Sequence, residues 1–242
     1  MNDERGIWPE TAVVFGASGG IGRALGDALE ARGCNVWRGG RSLRDDPEGR
    51  TFRFDFSDEQ TLSDIAAKLK DVSPQLVIVA TGVLTLDDGT GPERSYKRLD
   101  AATMAEVLRI NTIGPALVAK HMLPLLPRDR RCVFAALSAR VGSIGDNGLG
   151  GWHSYRASKA ALNMLLMNFA IELGRTHDEG IVVGLHPGTV DTALSEPFQS
   201  GLPEGQLTTP EDAASNLLAV IDALGPDDSG KVFDWKGERI PD

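Results

Sequence analysis

Thr11-Ala-Val-Val-Phe-Gly-Ala-Ser-Gly-Gly-Ile-Gly22 is the stretch that decides how this chain folds. Thr11 to Phe15 is a short, β-branched apolar run, the pattern of a buried strand. The glycines end it, and Gly20 to Arg32 then follows helical periodicity up to a stop at Gly33. A strand, a glycine turn and a helix start in direct succession make an anion site. Without side chains at Gly16, Gly20 and Gly22 the backbone can approach a phosphate, with Ser18 and Ile21 in the same turn. The helix N-terminus adds free N–H groups at the positive end of its dipole. The glycines are not spaced as G-x-G-x-x-G, and no Gly-Lys-Ser/Thr follows for a nucleoside-triphosphate loop. A tight turn without a ligand is the plainer alternative.

Outward from this turn the alternation continues. Asn35 to Arg38 and Thr51 to Asp55 read as strands, the second followed by a helix capped at Ser57 in Ser57-Asp-Glu-Gln. Leu76 to Val79 is a continuous apolar run of the kind found in parallel strands covered on both faces. One long helical stretch covers Ala101 to Leu126 and stops at Pro127. Cys132 to Ala136 and Ile181 to Leu185 are further strands, with a long helix from Ser154 to Arg175 between them. Pro210 opens a helix to Leu224, and Lys231 to Asp234 closes the set. Strands alternating with helices predict an α/β fold, a Rossmann-type doubly wound parallel sheet with helices on both faces. No repeat or linker divides the chain, so one domain over 1–242 is expected. Ligands in such sheets bind beyond the carboxyl ends of the strands. The segments Gly82 to Asp100 and His186 to Thr209 follow strands and are candidate binding loops.

Composition removes several classes of function. Of 242 residues, 41% are hydrophobic and 24% charged, ordinary values for a globular protein. Lys and Arg number 25 against 34 Asp and Glu, a net charge of −9, which disfavours nucleic acid or an anionic membrane as a partner. Cys34 and Cys132 lie far apart and match no metal-ligand spacing, and the four histidines form none, so no metal site is expected. The start, MNDERGIWPE, is not a signal peptide, and no apolar run approaches the about 20 residues of a membrane span. A reducing, cytoplasmic setting is the expectation.

Two further groups of residues carry chemistry. Gly39-Gly40-Arg41-Ser42 follows the second strand, where an acid would bind the 2′-hydroxyl of NAD and an Arg the 2′-phosphate of NADP. Arg41, with Arg38 and Arg44 nearby and no acid, favours NADP(H) over NAD(H). A solvated loop charge is the alternative for Arg41. Tyr155 and Lys159 stand four apart and share a helix face. A phenol with an ordinary pKa near 10 is a poor acid–base catalyst, and a neighbouring ammonium lowers it toward the working range.

With those residues in place the chain resembles the short-chain dehydrogenase/reductase family, of the single-domain type, over nearly its whole length. The family's T-G-x-x-x-G-x-G is similar to Phe15 to Gly22, with Phe for Thr, and its Y-x-x-x-K to Tyr155 and Lys159. Its active-site Asn resembles Asn111 in Arg109-Ile-Asn-Thr112, and its adenine-contacting Asp resembles Asp55. P-G-x-V-x-T, which holds the nicotinamide carboxamide, looks like Pro187, Gly188, Val190 and Thr192. Ser138 to Asn147 and Tyr155 to Asn163 are similar to the C-factor-like subgroup, named after a bacterial cell–cell signalling protein. The resemblance implies transfer of hydride between nicotinamide and a carbonyl or alcohol. Tyr155 would donate the proton, Lys159 would lower its pKa and bind the nicotinamide ribose, and Asn111 would hold a relay water.

The chain departs from the family pattern twice. N-N-A-G after the fourth strand is here Val79-Ala80-Thr81-Gly82, leaving Ala80 and Gly82 at the adenosine side without the asparagines. A gapless alignment of S-S-x-x-G onto Ser138-Ala139-Arg140-Val141-Gly142 puts Ala139 where the catalytic Ser falls. Ser138 is the candidate if the ending strand turns it inward, Ser143 is the reserve, and a plain loop hydroxyl is the alternative for each. His186 either lines the nicotinamide end or is a core or surface histidine. Met164, Leu165, Met167, Phe169 and Leu173 mark either the helix of a homodimer or homotetramer interface or a fully buried core helix. Asp87, Asp88 and Glu93 read as a solvated loop. Phe198 and Leu202 are candidates to close over an apolar substrate, and Gly142, Gly145, Gly148, Gly150 and Gly151 to form a mobile rim. An NAD-preferring alcohol dehydrogenase and a dinucleotide-binding signalling protein are the rival functions.

Overall fold

The computed structural model describes residues 8–44, 46, 49–200 and 207–242. In chain order its strands are β1 (Thr11–Phe15), β2 (Asn35–Gly40), β3 (Thr51–Arg53), β4 (Leu76–Val79), β5 (Cys132–Leu137), β6 (Gly180–His186), β7 (Thr189–Val190), β8 (Leu207–Thr208) and β9 (Val232–Asp234). The helices are α1 (Gly20–Ala31), α2 (Gln60–Leu69), α3 (Ala101–Leu108), α4 (Gly114–Met122), α5 (His153–Leu173) and α6 (Pro210–Ala223). One parallel sheet runs β3-β2-β1-β4-β5-β6-β9, and β7 pairs with β8 outside it. The order turns back between β1 and β4, which puts the crevice of a doubly wound sheet beyond the ends of these two strands.

Alternation along the central strands builds two core layers. Ala12 and Val14 of β1 face one way, with Leu25 and Leu29 of α1 and Leu217 and Ile221 of α6. Val13 and Phe15 face the other, with Leu62 of α2, Met122 of α4 and Leu166 of α5. Each buried leucine contributes about 1.5–3 kcal/mol, whereas a surface pair such as Arg32–Asp222 contributes about 0–1 kcal/mol, so the layers dominate. The two cysteines sit in different layers, both with free thiols. No helix among the described residues is long and apolar enough to cross a membrane.

Local chemistry shifts several expected boundaries. The third strand ends at Arg53, and the helix after it starts at Gln60, not at Ser57. Ser57 does not cap it because its N–H and its hydroxyl both donate to Asp55 Oδ1, at 2.8 and 2.7 Å. The expected helix 101–126 is broken by a π turn at Arg109–Ile113 and ends as α-helix at Met122. On α5, Leu162, Leu166, Ala170 and Leu173 are buried while Met164 is 62% and Ile171 55% exposed, so α5 is not a fully buried core helix.

Candidate active site

Two cavities meet at Ala80, Thr81 and Gly82, just past β4. The larger, about 420 Å³, is lined by Gly16, Ser18, Gly19, Arg41, Asp55 and Arg109 among others. The smaller, about 130 Å³, is lined by Ile21, Ser138, Ala139, Tyr155, Lys159, His186, Pro187, Gly188, Val190 and Thr192, with Leu137 and Leu194. The sequence-derived candidates from β1, β4, β5, α5 and β6 therefore converge at one end of the sheet.

The glycine turn is shaped by close approach. Gly16 has φ +90° and lies so near β4 that a Cβ on it would sit 2.9 Å from the Ala80 carbonyl carbon. A Cβ on Gly22 would sit 2.2 Å from the Gly16 oxygen. α1 begins with no side-chain cap at Gly19 and no acid in its first turn, leaving its N–H groups directed to the junction. Thr81 Oγ1 is buried at that junction without a partner. An uncapped helix start, an orphaned hydroxyl and an elongated double cavity fit a dinucleotide diphosphate.

Arg41 is 68% exposed at the mouth of the larger cavity and pairs with Asp87 at 3.4 Å. Arg38 is not available beside it, because Asp27 and Glu30 of α1 hold its guanidinium at 2.7 and 3.0 Å. Asp55 lies in the same cavity, and hydrogen bonds from the Ser57 N–H and hydroxyl hold its carboxyl below the usual range.

In the smaller cavity the Tyr155 hydroxyl has no hydrogen-bond partner among the described residues, and burial pushes the phenol up to about 12. Lys159 Nζ donates to the Leu137 carbonyl at 2.8 Å and lies 5.8 Å from the Tyr155 ring centre, while burial brings the ammonium down to about 8. The expected lowering of the phenol by Lys159 is not found in this state. Desolvation dominates both groups, and Tyr155 stands protonated at neutral pH. Asn111 is fully buried in the π turn; its amide donates to the Val83 carbonyl at 2.8 Å and Ser158 Oγ at 3.1 Å, and its oxygen accepts from the Val83 N–H at 2.8 Å. The side chain thus ties the loop after β4 to α5.

The serine candidates diverge. Ser138 does turn toward the cavity, yet its hydroxyl donates to Asn163 Oδ1 at 2.6 Å. Ser143 points elsewhere, accepting from the Asp146 N–H at 3.0 Å. Ala139 lines the cavity with a methyl group. Gly142 is no mobile rim: a Cβ there would meet Lys159 Cβ at 2.7 Å.

The structure chooses among the alternatives for His186 and overturns the expectation for Glu93. His186 lines the small cavity. Glu93 is 7% exposed and accepts from the Ser154 N–H at 3.1 Å and from the Ser154 hydroxyl. Burial alone would raise its carboxyl, but these bonds hold it lower than usual. Its backbone carbonyl also accepts from the Trp152 N–H at 2.6 Å, so it caps α5 from the loop. Nothing in the polar run around it distinguishes Glu93 from its neighbours. Glu93→Ala is expected to lower stability by about 1–3 kcal/mol, read as a fall in the urea midpoint, because it uncaps Ser154. Phe198 packs edge-on against Trp152 at 5.3 Å, and Trp152 against Tyr155 at 6.2 Å, forming an aromatic wall beside the site. Leu202 lies outside the described residues.

Comparison with known proteins agrees with this geometry. The short chain dehydrogenase family matches residues 10–202. A Rhodococcus protein named 1-hydroxy-2-glutathionyl-2-methyl-3-butene dehydrogenase is 34% identical over 91% of this chain and 94% of its own. The C-signal of Myxococcus xanthus is 40% identical over 59% of this chain and 81% of its own. The NADPH-bound carbonyl reductase from chicken fatty liver superposes with a TM-score of 0.81 at 24% identity, covering 96% of this chain and 94% of that one. The carbonyl reductase Sniffer of D. melanogaster also gives 0.81, at 20% identity over 96% and 99% of the two chains. At such identities the structural likeness is one of fold. The family match across most of the chain and the Rhodococcus relative make the assignment: the chain belongs to the short-chain dehydrogenase/reductase family, and is an NAD(P)-dependent oxidoreductase.

Proposed function

We propose that this enzyme is an NADPH-preferring reductase of carbonyl compounds, working as one catalytic domain in the cytoplasm, with Tyr155 as its proton donor. The observation that carries this reading is the unpartnered, protonated Tyr155 hydroxyl in a cavity that opens onto a dinucleotide-sized cleft. When bound, the cofactor supplies the hydride. Gly16, Ser18, Gly20, Ile21 and Gly22 would hold its diphosphate, and Asp55, Ala80 and Gly82 would flank its adenosine. Pro187, Gly188, Val190 and Thr192 would line its nicotinamide end, with Lys159 at the ribose.

Tyr155 gives its proton to the oxygen that becomes the alcohol. Lys159 is held in place by the Leu137 carbonyl. Its positive charge favours the phenolate left behind. Asn111 fixes the β4 loop against α5 and so sets the distance between cleft and acid. The proton relay through water would then use its backbone, since Val83 and Ser158 engage its side chain. The Rhodococcus name points to the same chemistry run from an alcohol. The exposed Met164 and Ile171 face of α5 is the surface for a homodimer or homotetramer.

Following nicotinamide absorbance across aldehydes, ketones and quinones tests the reading directly. Arg41→Glu is expected to raise KM for NADPH about tenfold, equal to about 1.4 kcal/mol, and to leave NADH nearly unchanged. Equal effects on both cofactors would remove Arg41 as the phosphate reader. No turnover on any carbonyl would remove the reductase reading.

A further inference from the structure

A carbonyl oxygen gathers negative charge as hydride arrives, and fixed donors aimed at it lower the barrier. Tyr155 supplies one donor. The structure lets the others be counted among the described residues of the small cavity. The Ser138 proton is spent on Asn163 Oδ1 at 2.6 Å, and Lys159 Nζ donates to the Leu137 carbonyl at 2.8 Å. Thr192 Oγ1 donates to the Val190 carbonyl at 3.4 Å, and the Ala139 side chain has nothing to donate. Thr81 Oγ1 is free but belongs equally to the larger cavity, on the cofactor side.

His186 remains. It ends β6 one residue beyond Leu185, which pairs with Leu137 of β5, so it stands across the ladder from Ser138. The residue lines the small cavity together with Tyr155 and Ala139, and among the described residues no side-chain hydrogen bond holds its ring. Nδ1 is buried without a partner, a state that folded proteins rarely leave uncompensated. No group among the described residues therefore fixes the tautomer of the ring; Nδ1 is sealed off, so Nε2 is the nitrogen that a ligand in the cavity can reach and orient. Arg140, Asp234 and Lys159 are the charged groups acting on the ring. Burial first, and then Arg140, bring it down to about 4, so the imidazole is neutral and carries one N–H.

We propose that His186 donates its ring N–H to the substrate oxygen beside Tyr155, supplying the second donor that Ala139 lacks. This rests on the reading of the protein as a carbonyl reductase.

The test compares His186→Leu, which keeps bulk without a donor, with His186→Gln, which keeps a donor near the position of Nε2. Each is made alone and together with Ala139→Ser. His186→Leu is expected to lower kcat about 100-fold, the effect of removing one such donor, with KM for NADPH unchanged. His186→Gln should retain more activity than His186→Leu. Ala139→Ser should recover most of the loss in the His186→Leu background; a merely structural histidine would not be rescued that way. Circular dichroism and NADPH fluorescence report folding, and if His186→Leu does not fold, the same rescue is read in the donor-free His186→Ala. An unchanged kcat in both variants, with Tyr155→Phe inactive, overturns the role of His186 and leaves the reductase reading standing. A wild type inactive on every carbonyl overturns both.

Discussion

Tyr155→Phe is expected to lower kcat about 1000-fold while leaving NADPH affinity within a factor of about two, since proton transfer by a placed acid is worth 10²–10⁴. The substitution is clean because the hydroxyl has no partner to orphan, and the ring keeps its edge contact with Trp152 at 6.2 Å. Stability should hold, as the hydroxyl opens onto the cavity and its removal breaks no hydrogen bond among the described residues. Stopped-flow absorbance for the hydride step and fluorescence titration for NADPH separate the two quantities. A variant that turns over at the wild-type rate would move the proton donor elsewhere in the cavity.

The second large effect is expected at the glycine turn. Alanine normally favours a helix over glycine by about 1 kcal/mol, so Gly22→Ala in α1 would stabilise if space allowed. Space does not allow it, because the new methyl would sit 2.2 Å from the Gly16 oxygen and 2.7 Å from its carbonyl carbon. Both are backbone atoms of the turn itself, so relief requires the turn to open. Overpacking of this kind costs about 1–3 kcal/mol net, and the displaced N–H groups should weaken NADPH binding about 100-fold or more. Gly148→Ala is the matched control, since nothing lies within 4 Å of a Cβ there. Equal NADPH affinity in the two variants would show that the turn does not cradle the cofactor.

Much of this could be read from the chain. Thr11 to Gly22 predicts its strand, turn and helix because apolar periodicity and glycine placement are local signals, and Gly33 stops α1 where expected. The convergence of Tyr155, Lys159 and Pro187 on one cavity follows from strand order and family resemblance together. What could not be read depends on partners distant in sequence. Ser57 looks like a helix cap, and only the competing carboxylate of Asp55 cancels it. Glu93 looks solvated until the start of α5 is brought to it across 61 positions. The π turn at Arg109–Ile113 has no mark in Arg-Ile-Asn-Thr-Ile, since the residue that favours it, Asn111, does so through Val83 and Ser158. His186 is ambiguous for the same reason: burial, and not its neighbours in the chain, sets its state.

The pairing of α1 with α6 has a consequence for how the protein comes into being. Leu25 and Leu29 of α1 share one core layer with Ala214, Leu217 and Ile221 of α6, and Gly20 lies against Thr192 and Pro210. The glycine turn is made before α6, so its helix can rest on β1 and β2 but has only part of its apolar cover until the sixth helix has been made. A nascent chain that has formed β1, β2 and the turn still leaves uncovered the part of the α1 face that α6 will bury.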